Sequence, residues 1–280
     1  PATPAPAATQ AAAAVVNVEA YENADGYFLK ADQLVVPAGV VTFNFKNTGK
    51  LTHELMVYPM QDIGTLLALH RADKTADEPA LLKGMAGMAE DVDAGKSASF
   101  NATLKPGFYE LGCHARSKNA DGTTYTHFDK GQFLTLAVTG PGGPSASVAT
   151  PASTLAIEMT GEENASWLFT PDRLVVSAGD VAFKVTNKMK AEHDFVVSPL
   201  GDTSKYVAGA MMPGMAHNDD YSSFKGTELL ADLAPGKTDT KTFKLTPGLW
   251  VAACYMSSKA TDGSTFLHRD HGQRIVFMVK

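Results

Sequence analysis

One pattern, written twice, limits what this chain can become. Cys113-His114-Ala115-Arg116-Ser117-Lys118, then Asp121-Gly122, then Tyr125-Thr126-His127-Phe128-Asp129-Lys130-Gly131-Gln132, returns as Cys254-Tyr255-Met256-Ser257-Ser258-Lys259, Asp262-Gly263 and Phe266-Leu267-His268-Arg269-Asp270-His271-Gly272-Gln273. The offset is constant, since 254 − 113, 268 − 127 and 273 − 132 all equal 141. A repeated unit of about 130 residues has the length of an ordinary domain, so the 280-residue chain reads as two similar domains.

Between these landmarks the apolar residues alternate. Val15 to Ala20 (VVNVEA) and Val40 to Lys46 (VVTFNFK) have the period of half-buried strands, Tyr27 to Leu29, Leu34 to Val36 and Thr52 to Tyr58 read as further strands, and Pro37-Ala38-Gly39 and Asn47-Thr48-Gly49-Lys50 break them. Ala98 to Leu104, the turn Lys105-Pro106-Gly107 and Phe108 to Leu111 deliver Cys113, and Gln132 to Val138 closes the unit. Short, closely spaced strands predict an all-β sandwich or barrel. Gln61 to Arg71 and Pro79 to Glu90 carry apolar residues at helical spacing, and Tyr206 to Leu233 is a second, less similar insert, so short helical insertions are expected in both units. The expected boundaries are a Pro/Ala-rich tail at 1–14, a first domain at 15–139, a Gly/Pro/Ser-rich linker at 140–153 and a second domain at 154–280.

A net charge of −6 without a basic stripe argues against nucleic acid and against an acidic membrane surface as partners. No apolar run approaches the ~18 residues of a membrane-crossing helix. The tail Pro1 to Ala14 cannot build a core, which suits a tether left after removal of a signal or lipoprotein segment, or an arbitrary cut.

The chain has two cysteines, one per unit at equivalent positions. They read as single functional thiolates, with an interdomain disulfide as the competing possibility. Each unit supplies a His on a mid-chain strand (His53, His193), a Cys ending a late strand (Cys113, Cys254), a later His (His127, His268) and a Gln five residues beyond it (Gln132, Gln273). Two imidazoles and a thiolate with a weak axial ligand make a mononuclear blue-copper arrangement. A zinc site would also accept a Cys and two His, although structural zinc sites normally offer more Cys and no fixed Gln. A Cys113–His114 nucleophile pair is a further alternative, weakened by Tyr255 at the matching position.

At these residues the chain resembles the cupredoxins, over essentially the whole of both units. The likeness runs from Leu34-Val35-Val36-Pro37-Ala38-Gly39 and Leu174-Val175-Val176-Ser177-Ala178-Gly179, through Asn47…His53 and Asn187…His193, to Pro106-Gly107…Cys113 and Pro247-Gly248…Cys254. The resemblance implies two tandem Greek-key β-sandwiches. It implies His53, Cys113 and His127 as ligands of one type-1 copper, and His193, Cys254 and His268 as ligands of another. Gln132 and Gln273 stand where the family usually has Met, which is similar to the axial amide of stellacyanin-type members. Two departures stand out: a longer Cys-to-His loop, and Glu54 or Asp194 where a neutral amide is common. These carboxylates could accept hydrogen bonds from Ser117, Ser258 or loop amides and lock the ligand loops together.

The expected function is transfer of single electrons between redox partner proteins in a periplasmic or extracellular setting, with no catalytic residue. The resemblance implies that His127 or His268 lies near the surface, where Arg116, Lys118 and Lys130, or Lys259 and Arg269, would dock an acidic partner. The competing functions are a multicopper oxidase or nitrite-reductase-like enzyme using His114, and copper storage or delivery using Met85, Met88, Met211, Met212 and Met215. Against the enzyme, no His-x-His pair occurs and only His70, His114, His217 and His271 remain unassigned. Against storage, Met is a common gap filler in packed cores.

Overall fold

The computed structural model describes residues 14–23, 26–63, 84–118, 122, 124–161, 167–200, 228–259 and 265–280. In the first half the strands are β1 (Ala14–Asn23), β2 (Gly26–Ala31), β3 (Val35–Pro37), β4 (Gly39–Asn47), β5 (His53–Pro59), β6 (Gly87–Val92), β7 (Ser97–Leu104), β8 (Gly107–Gly112), β9 (Arg116–Lys118), β10 (Thr124–Thr126) and β11 (Phe133–Thr139). The second half has β12 (Thr154–Gly161), β13 (Trp167–Pro171), β14 (Val175–Val176), β15 (Gly179–Asn187), β16 (His193–Pro199), β17 (Glu228–Leu233), β18 (Thr238–Leu245), β19 (Gly248–Ala253), β20 (Ser257–Lys259), β21 (Thr265–Leu267) and β22 (Arg274–Val279).

Each half is a four-stranded sheet facing a five-stranded one: β2-β1-β4-β7 against β3-β11-β8-β5-β6, and β13-β12-β15-β18 against β14-β22-β19-β16-β17. The chain passes repeatedly from one sheet to the other, so each half is an all-β sandwich. Alternation puts Val16, Val18, Val41, Phe43 and Phe45 inward in the first half and Leu155, Ile157, Val181, Phe183 and Val185 inward in the second, all essentially buried. Each such side chain contributes roughly 1.5–3 kcal/mol when fully buried.

The inserts differ from the helical expectation where they are described. Residues 61 and 62 lie in a 3-10 turn (Met60–Asp62), 64–83 fall outside the described residues, and Gly87 to Glu90 belong to β6, an edge strand on β5. Likewise Glu228 to Leu233 form β17 beside β16, while 201–227 lie outside the description. Pairing with the sheet overrides the helical spacing because β5 and β16 would otherwise expose unpaired backbone edges. Met85 and Met88 pack against the core from this insert. Met211, Met212 and Met215, and residues 1–13 of the tail, are not among the described residues.

The connecting segment is partly packed. Val148 is fully buried in a 3-10 turn (Ala146–Ala149) and its carbonyl accepts from the Leu174 amide at 3.0 Å. The halves also meet through equivalent strands, since Thr135 Oγ1 on β11 accepts from the Val276 amide on β22 at 2.9 Å, and 276 − 135 is again 141. Beside this contact the Arg274 guanidinium lies 3.9 and 4.2 Å from the ring centres of Phe128 and Phe133, and donates to Glu110 Oε2 at 3.1 Å.

Candidate metal centre

The first histidine is placed by a pinned loop and a bulge. Asn47, fully buried, donates from Nδ2 to the carbonyls of Leu51 and Val92 at 2.7 Å and accepts from the Gly49 amide at 2.9 Å. Asn187 repeats this with Ala191 and Leu233 at 2.8 Å and with Met189 N at 2.9 Å. An amide side chain can satisfy three backbone groups at once, so the loop before His53 or His193 has one shape. Opposite, the β5–β6 and β16–β17 ladders slip by one residue just after these histidines, and Asp91 (φ 44°) and Asp232 (φ 55°) take the left-handed conformation there. Such a bulge re-aims the side chain it faces.

The Cys, second His and Gln sit on one compact turn in each half. The Cys113 amide donates to the Gln132 carbonyl, the Gln132 amide to the His127 carbonyl (both 3.1 Å), and the His127 amide to the Ala115 carbonyl (2.9 Å). The second half has the same three bonds, among Cys254, Gln273, His268 and Met256. Gly131 (φ 98°) and Gly272 (φ 100°) reverse the chain just before each Gln, a left-handed position that suits glycine. The long Cys-to-His loop contains a β-hairpin, β9–β10 or β20–β21, which sequence periodicity missed because its strands are three residues long.

This arrangement brings all six predicted His and Cys side chains into two buried trios. In the first, His53 Nδ1 and His127 Nδ1 are 3.1 Å apart, and Cys113 Sγ lies 3.7 and 3.4 Å from them. In the second, the corresponding distances are 2.9, 3.7 and 3.4 Å. Metal bonds of about 2.0–2.3 Å put the corners of a trigonal plane about 3.5–4 Å apart, so the sulfur edges already match and only the Nδ1–Nδ1 edge must open. Among the described residues these are the two groups able to hold a metal ion. Both cysteines are free, each facing its own histidines, which leaves no room for the disulfide alternative.

The remaining imidazole nitrogens are held from behind. Ser117 Oγ and Ser258 Oγ bond His127 Nε2 and His268 Nε2, each at 2.8 Å. His53 Nε2 bonds Glu22 Oε2 at 2.7 Å. Burial would raise the Glu22 carboxyl, but the bonds from His53 and the Lys50 and Leu51 amides hold it below the usual range. Sequence reasoning missed Glu22, which lies 31 residues before its partner on a strand selected only for alternation.

Several expectations need correction. The second histidines are not at the surface: His127 and His268 are 1% and 2% exposed, with Tyr27 stacked on the first (4.7 Å) and Trp167 edge-on to the second (4.1 Å). Strand β2 and its twin β13 fold their aromatic residues over these rings. Arg269 is buried as well, with its guanidinium 4.9 Å from the Tyr255 ring centre, so it does not present a docking charge. Arg116 and Lys118 are exposed and Lys130 half-buried, while the Lys259 side chain is outside the description. Ser117 and Ser258 serve the histidines rather than the carboxylates. The loop-amide alternative holds for Glu54, whose Oε1 accepts from the His114 amide at 2.9 Å, while the Cys254 thiol donates to Asp194 Oδ1 at 3.3 Å.

The electrostatics favour a cation. Burial pushes the Cys113 thiol up to about 12 and raises the Cys254 thiol well above its usual range, and pushes His127 and His193 down to about 4. A buried thiolate needs a positive partner in contact, and a metal ion that displaces the proton provides it. The axial candidates agree. Gln132 Oε1 and Gln273 Oε1 are buried without a hydrogen-bond partner, at a cost of about 1–3 kcal/mol each unless something else binds them. Gln132 is held by its other amide atom, which donates to the Phe28 carbonyl at 3.0 Å, whereas Gln273 Nε2 meets Met189 Sδ at 3.7 Å. Gln273 also lies close enough to His193 to oppose the effect of burial on that ring, although its Oε1 makes no bond of good geometry.

No family model and no curated protein matches the chain. Among solved structures it is similar to a multicopper oxidase, at 13% identity over 95% of this chain and 88% of that one, with a TM-score of 0.32. Auracyanin from Roseiflexus castenholzii is 20% identical over 47% of this chain and 100% of its own, with a TM-score of 0.34. A copper-containing nitrite reductase from Thermus scotoductus is 12% identical over 96% of this chain and 62% of its own, with a TM-score of 0.31. What the two centres can hold follows from their own residues.

Proposed function

We propose that the chain is a tandem cupredoxin, with domains at 15–139 and 154–280, that binds one type-1 copper in each and carries single electrons between partner proteins outside the cytoplasm. The observation that carries this is the duplicated set of a buried thiol, two inward Nδ1 atoms and an orphaned amide oxygen. Copper held there supplies a one-electron couple whose two states tolerate the same His₂Cys arrangement. The protein keeps that arrangement fixed: Asn47 and Asn187, Ser117 and Ser258, and the shared Cys-His-Gln turn hold every donor before metal arrives.

A carrier is favoured over an enzyme by where His114 sits. Its ring stacks on Phe128 at 4.4 Å, beside the interface, and it belongs to neither trio. Met85 and Met88 pack on the core, which favours packing over copper storage. Copper-loaded, reduced protein should be oxidised rapidly by a one-electron acceptor without sustained turnover of oxygen or nitrite. Multiple turnovers of either substrate, lost in His114→Ala, would replace the carrier with an enzyme.

A further inference from the structure

The two centres share their donors but not what stands behind the first histidine. In the first half the His53 Nε2 atom bonds the Glu22 carboxylate at 2.7 Å, and Glu22 Oε1 also accepts from the Lys50 and Leu51 amides at 2.5 and 3.1 Å. This approach needs Gly49. A Cβ there would lie 2.1 Å from Glu22 Oε2 and 3.0 Å from His53 Nε2. Strand register identifies the counterparts in the second half. Val18 pairs Phe45 as Ile157 pairs Val185, which sets Glu22 against Gly161, and Gly49 and Met189 each stand two residues beyond the pinning asparagine. Glu22 and Gly49 are thus exchanged together for Gly161 and Met189. Met189 is buried, and His193 Nε2 is buried with no hydrogen-bond partner.

Because both Nδ1 atoms point into the trio, the nitrogen facing Glu22 is the N–H that donates. A carboxylate on that N–H makes the imidazole a more basic ligand, and its negative charge favours the more highly charged oxidised metal. Met189, at the position of Gly49, and Trp167, 5.6 Å from the His193 ring, carry no charge. A carboxylate beside the cysteine is common to both centres, Glu54 at Cys113 and Asp194 at Cys254, so among the described residues Glu22 is the charge without a counterpart. We propose that Glu22, acting through His53, is a positioning residue that holds the first copper centre at a lower reduction potential than the second, so that an electron shared by the two resides on the second. The transfer oxidises one centre as it reduces the other and moves no proton. This rests on both centres holding copper.

The test is redox titration of copper-loaded full-length protein by its visible absorption, with Cys254→Ser and Cys113→Ser isolating the first and second centres. The expected preference for the second centre is at least about tenfold, which for a one-electron couple is about 59 mV. Glu22→Gln, which keeps the shape and removes the charge, should raise the first potential and leave the second unchanged. Gly49→Ala, which displaces Glu22 without altering any charge, should do the same, so a folding defect in either variant leaves the other to decide. Equal potentials in the parent chain, or no shift in a copper-loaded Glu22→Gln or Gly49→Ala variant, overturns the inference. A parent chain that binds no copper overturns instead the function on which it rests.

Discussion

The first centre has a carboxylate behind its first histidine, a phenol over its second and a carboxylate tied to the His114 amide; the second has a thioether, an indole and an aspartate facing the cysteine thiol. Yet the residues that fix the shape of the ligand loops and rings are the same in both: Asn47 and Asn187 on backbone carbonyls, Ser117 and Ser258 on the second imidazoles, and Gly131 and Gly272 at the reversal before each Gln. The division has a physical basis. A residue that shapes the loop carrying a ligand has one solution, because any other leaves buried backbone groups unsatisfied. Groups that only change the field at the ligand are free to differ, and here they do.

The largest test of this comparison lies at the contact between the halves. Glu110 and Arg274 form a buried ion pair, and their counterparts at offset 141 are Val251 and Phe133. Arg274→Met should destabilise by about 3–5 kcal/mol in denaturant unfolding at a pH above 7, because it leaves the buried Glu110 carboxyl without the partner that compensates its ionised form. The double change Glu110→Val with Arg274→Phe, which copies the other half, should cost far less. Burial pushes the Glu110 carboxyl from 4.5 up to about 7, against the pull of Arg274, so the folded state holds this proton more tightly than the unfolded one. Its contribution is therefore fully present below about 4.5 and is lost as pH rises through about 7. The double variant should flatten stability over that window; an unchanged slope would remove Glu110 as its source.

Next come the clamps, where the comparison predicts equality. Asn47→Ala and Asn187→Ala should each cost roughly 2–3 kcal/mol, since each strands buried carbonyls. A large cost in one half and a negligible one in the other, measured by denaturant unfolding, would mean that the loops are not held alike. The smallest effect expected is at the serines. Ser117→Ala and Ser258→Ala should each weaken copper binding in their own half by about tenfold, the lower end for loss of a ligand's hydrogen-bond partner. Competition against a chelator reads this directly, and unchanged affinity would leave the imidazole orientation to Tyr27 and Trp167 alone.

Much of this was legible in the sequence, and the reasons are specific. His53, Cys113 and His127 and their twins stand out because the repeat preserves them while the inserts drift, and the strands that deliver them are short apolar runs bounded by turn residues. Glu22 was illegible because nothing local marks a strand carboxylate as the partner of a histidine brought to it by parallel pairing of β1 with β4. Gly49 and Met189 were illegible for the same reason, since their meaning appears only when Glu22 and Gly161 are set beside them. The strands β6 and β17 were hidden by apolar spacing that also fits a helix, and the partner edge decided between the two. The burial of His127 and His268 was missed because the aromatic residues that cover them come from β2 and β13, about a hundred residues earlier in the chain.

The central claim is that the two trios are separate copper centres on one scaffold. Copper analysis with an optical spectrum should be made on four full-length chains: the parent, Cys113→Ser, Cys254→Ser and the double variant. The predicted outcome is two coppers in the parent with intense thiolate-to-copper absorption, one in each single variant with about half the band, and none in the double, because well-separated sites behave independently. Zinc in place of copper, or a single copper that survives either single change and is lost only in the double, would contradict it.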